Sequence, residues 1–318
     1  MTARIRTSAS GTQGGCGRPA PAVPAGSAAP AVPDMGAFVA RVAEQGRSLY
    51  RDLPWRRTRD PYAVLLSEVM LQQTQVSRVV PRYDEWLADF PTLDALAAAP
   101  LEAVLRAWQG LGYNRRAIAL KRAAEQVAAT AGASGAATLP ADEAALRALP
   151  GIGPATAAGV LAFAFGLPSV YLETNVRTVF LHELFGDSDG VRDREIAPLL
   201  ELAVAEAAHQ GISPRDWYYA LLDYGAHLKR TVPNPSRRSA HHTRQSAFEG
   251  SHRQLRARVL RAVMAEPGRT PADYALDLAT VEHNAERAPA NESETRDVLE
   301  SLAREGFLVE ADGVWFVG

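Results

Sequence analysis

Two glutamates in this sequence stand where a carboxyl group can do acid–base or electrostatic chemistry. Glu68 lies in PYAVLLSEVMLQQTQV, close to Leu65, Leu66, Val69 and Met70. So much apolar surface disfavours the charged form of a carboxyl group and raises its pKa, as a general acid working near neutral pH requires. On a helix predicted near Tyr62 to Val76, Glu68, Gln72 and Gln75 fall at i, i+4 and i+7 along one polar stripe. The same stripe equally describes a glutamate facing solvent. Glu173 opens Glu173-Thr174-Asn175, after a break at Pro168 and before another apolar-periodic segment, so its carboxylate sits at a helix start.

The stretch between Leu149 and Val179 positions the second carboxylate. It reads LPGIGPATAAGVLAFAFGLPSVYLETNVRTV, preceded by the short helical pattern ADEAALRA. PATAAGVLAFAF begins with proline at a tolerated first-turn position and continues apolar, so two helices joined through Pro150, Gly151, Ile152 and Gly153 make a helix-hairpin-helix. Both glycines can take backbone angles closed to other residues and permit close approach of another molecule. Unpaired N–H groups at the start of the second helix favour an anion such as a phosphate. An ordinary helix–helix turn has the same Gly-x-Gly spacing. The carboxylate that follows is what points to a sugar-phosphate backbone.

In combination, this hairpin, LPWRRTRDPYAVLLSEVMLQQTQV at Leu53 to Val76 and WQGLGYNRRAIAL at Trp108 to Leu120 resemble the helix-hairpin-helix (HhH-GPD) DNA glycosylases. The similarity runs from Leu53 to Ala226 and falls in the A/G-specific adenine glycosylase (MutY-like) branch. It implies an all-α, two-lobed helix-hairpin-helix glycosylase fold. It also implies that a mispaired base is rotated out of double-stranded DNA and its N-glycosidic bond hydrolysed, adenine opposite guanine or 8-oxoguanine being the expected substrate. Glu68 would then protonate the leaving base and help activate water, Glu173 would stabilise positive charge on the sugar, and Asn175 would hold the hydrogen-bond geometry.

The resemblance extends to DNA contacts. The glutamine turn with Gln72 and Gln73, and the Gly110-to-Asn114 turn with Tyr113, are expected to push side chains into the base stack. From spacing alone, Tyr113 equally fits a ring packed under its own turn. Pro150, Gly151, Gly153 and Ala155 would line the hairpin's grip on the backbone. Bifunctional relatives carry a lysine at the position of Ala155, so base removal without strand scission is expected. Relatives carry aspartate where this chain has Glu173, one methylene longer, which bears on substrate choice. A glycosylase for thymine or uracil opposite guanine, or a non-catalytic damage-sensing DNA-binding protein, is the alternative reading.

In such enzymes the helix ending in Asp-x-Gly-Ala leads into four cysteines that hold an iron–sulfur cluster. Here that loop is KRTVPNPSRRSAHHTRQSAFEGSHRQLR, and the sequence has 1 cysteine, Cys16. No cofactor, cluster or metal is therefore expected, since His241 and His242 lack acidic or sulfur companions. Arg237, Arg238 and Arg244 are expected to take over the loop's phosphate contacts.

Charge is unevenly placed along a chain whose formal net value is only -2. Lys229 to Arg261 is basic apart from Glu249, whereas the segment beyond Arg261 is strongly acidic. A solvated basic run has the same composition as a DNA-facing band. Residues 1–34 are Ala-, Pro-, Gly- and Ser-rich and are read as a disordered tail, with Met35 a candidate biological start. The glycosylase domain is placed at 35–228, the basic loop at 229–253 and a small winged-helix-like module at 254–318. That module has three predicted helices and a terminal hairpin around Asp312-Gly313. Its acidity suits a structural role or a protein partner, not a duplex. Without a membrane-spanning or signal-like apolar run, a monomer in the cytoplasm, associated with the nucleoid, is expected.

Overall fold

The computed structural model describes residues 34–132, 135–242, 248–283 and 291–318. The expected tail, apart from Asp34, and the predicted phosphate contact Arg244 lie outside the described residues. Among the described residues, fourteen α-helices and one hairpin of two strands make up the fold. In order the first helices are α1 (Met35–Ser48), α2 (Pro61–Leu71), α3 (Val76–Asp89), α4 (Leu93–Ala98), α5 (Leu101–Ala107) and α6 (Arg115–Ala131). There follow α7 (Glu143–Arg147), α8 (Pro154–Val160), α9 (Thr174–Leu184), α10 (Asp193–His209) and α11 (Pro214–Thr231).

These helices form the expected two lobes. Helices α2 to α8 pack on one another, and α1 joins α9, α10 and α11 in the second group. Helix α2 is buried nearly all round, with Tyr62 through Ser67, Val69 and Met70 all in the interior. Two arginines bolt the lobes together. Arg56 makes a buried two-pronged pair with Asp223 of α11, at 2.7 and 2.9 Å. Arg215 of α11 donates to the carbonyls of Phe163, Arg56 and Thr58. Trp217, Tyr218 and Tyr224, expected in the core, are buried there.

Helix α2 stops five residues short of the predicted end at Val76. Gln72 has φ −58° and ψ 110°, and Gln73 is left-handed at φ 55°. The physical cause is an arginine from α6: Arg116 donates to the carbonyls of Val69, Met70 and Gln72, which a longer helix would bond to its own N–H groups. The stripe of Glu68, Gln72 and Gln75 therefore does not exist, because Gln72 begins a turn and Gln75 precedes α3.

The second hairpin helix also departs from the plain reading. After α8 the chain widens into a π-helical turn at Leu161–Phe165 and ends on left-handed Gly166. In the hairpin only Gly151 takes a positive φ, 75°, and a Cβ there would lie 2.5 Å from that of Ala119. Gly153 is extended, with φ −87° and ψ 176°, and open on its free side.

The C-terminal part is α12 (His252–Ala265), α13 (Pro271–His283), α14 (Glu292–Arg304) and the antiparallel pair β1 (Leu308–Ala311) with β2 (Val314–Val317). The hairpin turn is Asp312-Gly313, both left-handed, as the sequence pattern requires. Part of this segment's acidity is neutralised internally: Glu305 pairs with Arg256 and, across to α6, with Arg115. Arg253 and Arg256, counted with the basic band, reach Tyr113 and Glu305 respectively.

Candidate active site

The buried middle of α2 points Glu68 at α8, where Gly159 makes room for it. A Cβ at position 159 would lie 2.5 Å from Glu68 Oε2 and 3.0 Å from the Tyr171 ring, so only glycine lets the carboxyl group seat here. The Tyr171 hydroxyl donates to that carboxyl group. Burial pushes Glu68 up to about 8; the hydrogen bond from Tyr171 opposes this, and the Glu173 charge adds to it. At neutral pH Glu68 is therefore mostly a proton donor.

Tyr171 is itself fixed by an aromatic cage. Its ring meets those of Phe163 and Tyr218 edge-on, each at 5.3 Å, and its N–H donates to the Tyr218 hydroxyl at 3.1 Å. Burial and the neighbouring glutamates hold its own pKa well above the usual phenol range, so it stays a donor.

Glu173 has the opposite surroundings. It is the residue preceding α9, and its Oε1 accepts from the N–H groups of Asn175 at 2.5 Å and Val176 at 3.0 Å. Helix-terminal N–H groups and the helix dipole both favour an anion at this place. Oε2 is 3.4 Å from Asn175 Nδ2, and Asn175 Oδ1 accepts at 2.8 Å from Lys229 Nζ. The chain Lys229–Asn175–Glu173 thus orients the second carboxylate. Burial lowers the Lys229 pKa, an effect that the Glu173 charge partly offsets. Helix α11 reaches α9 this closely because of Gly225, where a Cβ would overlap the Asn175 backbone.

The structure thus brings Glu68, Glu173 and Asn175 into one electrostatic neighbourhood with Tyr171 and Lys229. The other predicted residues are dispersed around it. Gln73 and Tyr113 are exposed at the tips of neighbouring turns, and both take left-handed backbone angles unusual for non-glycine residues, φ 55° and 48°. Gln72 is turned inward and donates to Thr156 of α8 at 3.1 Å. Gly151 and Gly153 are exposed on the hairpin, with Pro150 and Ala155 half-buried beside them. Arg237 is exposed, but Arg238 donates to the Leu181 carbonyl at 2.7 Å and caps the end of α9. At least one of its N–H groups is therefore engaged inside the protein.

The loop expected to lack a cluster packs by protein contacts. Pro235, Ser236 and Ser239 are buried, and Val191 and Ser239 form a parallel bridge. No group of three potential metal ligands occurs among the described residues, and the lone cysteine is Cys16, far away in sequence. This donor set does not fit a four-thiolate cluster.

Residues 66–220 match the family described as HhH-GPD superfamily base excision DNA repair protein. An adenine DNA glycosylase of Mycobacterium tuberculosis is 33% identical over 287 residues, covering 83% of this chain and 90% of that one. One from Mycolicibacterium smegmatis is 33% identical over 279 residues, covering 83% and 92%. The chain belongs to the HhH-GPD superfamily of base excision repair DNA glycosylases. Among solved structures, a thermostable thymine-DNA glycosylase matches with a TM-score of 0.52 at 26% identity, covering 60% of this chain and 86% of that one.

Sequence reasoning missed Tyr171, Gly159, Lys229 and Arg116. Tyr171 stands two residues before Glu173, which is the one local signal that was available.

Proposed function

We propose that this glycosylase removes adenine mispaired with guanine or 8-oxoguanine, without strand scission and without an iron–sulfur cluster. The observation that supports this reading is the pair of carboxyl groups in unlike surroundings: Glu68, which burial pushes up to about 8, and Glu173, whose oxygen accepts from two backbone N–H groups at a helix start. The adenine DNA glycosylase relatives from two mycobacteria, aligned over most of both chains, supply the base.

In this mechanism, gaps opened in the duplex by the Gln73 and Tyr113 turns accompany extrusion of the adenosine, while the hairpin near Gly151 holds the strand. Glu68 gives its proton to the purine as the C1′–N bond breaks, so the bonding pair leaves on a neutralised base. Glu173 opposes the positive charge left on the sugar. Water then adds to C1′ and returns a proton to Glu68.

The test is a panel of duplexes carrying A, T, U or an alkylated base opposite G or 8-oxoguanine, scored for alkali-labile sites. Release of adenine first and fastest is expected; release of thymine or uracil only would assign the enzyme to another base, and no release from any duplex would leave a damage sensor. Borohydride added during turnover is expected to trap no protein–DNA adduct. An adduct that vanishes in Lys229→Gln would make the enzyme bifunctional through an amine that replaces the lysine absent at Ala155. Absence of acid-labile sulfide from the purified protein checks the cluster.

A further inference from the structure

Between the two wedge turns lies a dense polar node built on one side chain. Arg116, on the first turn of α6, is half-buried. Its Nη1 donates to the carbonyls of Val69, Met70 and Gln72 at 2.7, 3.0 and 2.6 Å, all at the end of α2. Its Nη2 donates to Thr74 Oγ1 at 3.0 Å, to the Leu111 carbonyl at 3.2 Å and to the Gly112 carbonyl at 2.9 Å. The guanidinium carbon also lies 5.3 Å from the Trp108 ring and 5.6 Å from the Tyr113 ring. These acceptors are backbone carbonyls and a hydroxyl, none of them a carboxylate. Burial without a counter-charge accordingly draws the Arg116 pKa down to about 10.

A planar fork with five N–H donors can satisfy acceptors on both turns at once, whereas an ammonium group cannot span them. Thr74 adds a second tie, since its hydroxyl lies 3.3 Å from the Leu111 carbonyl as well as accepting from Arg116. Both tips held by this node are left-handed non-glycine residues, a conformation that persists only where surrounding contacts enforce it. We propose that Arg116, assisted by Thr74, is the positioning residue that locks the Gln73 and Tyr113 turns into one rigid wedge, so that both enter the duplex together. It touches no reacting atom; it acts through the two turns. The proposal rests on the glycosylase reading for its context, but wedge entry can be measured without chemistry.

The experiment uses the full chain, with Arg116→Met, Arg116→Lys and Thr74→Val, on two duplexes. In one, 2-aminopurine lies next to a paired target adenine opposite 8-oxoguanine; in the other the target adenine is bulged and already unpaired. Fluorescence reports unstacking, and single-turnover base release is followed in parallel. Loss of the fluorescence rise and a release rate at least about tenfold lower on the paired duplex are expected for Arg116→Met and Arg116→Lys, with release from the bulge within about threefold of wild type. Thr74→Val is expected to show the same pattern more weakly, and its effect is expected to disappear when combined with Arg116→Met, because both act on one contact. Equal losses on the two duplexes, or undiminished fluorescence on the paired one, would overturn the proposal. Should the Arg116 variants fail to fold, Thr74→Val alone decides: a paired-to-bulged difference supports the tie, and none refutes it. Unstacking by a wild-type protein that releases no base from either duplex would sink the catalytic reading while leaving the wedge assignment standing.

Discussion

The middle of α2 and the start of α9 each carry one glutamate, and they treat the carboxyl group in opposite ways. At Glu68 the helix is buried on nearly every side, a phenol hydroxyl is the donor, and the proton is retained to about 8. At Glu173 two backbone N–H groups and a helix terminus receive the carboxylate, and Lys229 stands behind Asn175. The same side chain is thus set among apolar groups as a proton donor at one place, and among backbone N–H groups that favour an anion at the other. Position within a helix, interior or start, decides which.

Removing the donor should have the largest effect. Glu68→Gln keeps the shape of the carboxyl group and has no proton to give, so single-turnover adenine release is expected to fall by about a thousandfold, within the range for general acid–base catalysis. At the other end of the comparison, Glu173→Gln keeps an oxygen for the N–H groups of Asn175 and Val176 but removes the charge. A loss of about a hundredfold is expected. Glu173→Asp keeps the charge and caps a helix well, so a rate within about tenfold of wild type is expected. If Glu173→Gln and Glu173→Asp fall equally, reach matters and charge does not.

Tyr171→Phe sharpens the contrast from the Glu68 side. The hydroxyl that steadies the carboxylate after proton transfer is lost, and a rate about tenfold lower is expected. Because that hydrogen bond also lowers the Glu68 pKa, the alkaline fall in rate should move to higher pH.

Much of this was legible from residue types. The apolar neighbours of Glu68 already implied a raised pKa, the break at Pro168 marked the start of α9, and Asp312-Gly313 fixed the terminal hairpin. What was not legible depends on partners distant in the chain. No local pattern shows that Arg116 will take the last carbonyls of α2 and end it at Leu71, so the polar stripe that the spacing suggests is broken in the fold. Nor does the basic run reveal that Arg238 turns inward to Leu181, or that Arg253 meets Tyr113. Charge in a sequence shows how much is present, while folding decides how much remains for a partner.

The smallest effect concerns stability. The unfolded chain releases the Glu68 proton near its ordinary value of 4.5, and the folded chain holds it to about 8. Between those values the folded state binds more protons, so stability falls as pH rises, and the penalty is complete above about 8. Glu68→Gln carries no such penalty. Its melting temperature relative to wild type is expected to increase from pH 5 to pH 9, and a difference constant across that range would show that Glu68 titrates normally.

The most direct measurement is the pH profile of single-turnover adenine release from an A:8-oxoguanine duplex, run on wild type and Glu68→Gln together. For the wild type, a rate that is steady near neutrality and falls about tenfold per pH unit above about 8 is expected, with a slow rate lacking that fall in the variant. A wild-type rate that stays level or rises through this range, or a variant as fast as wild type, would contradict the assignment of Glu68 as the proton donor.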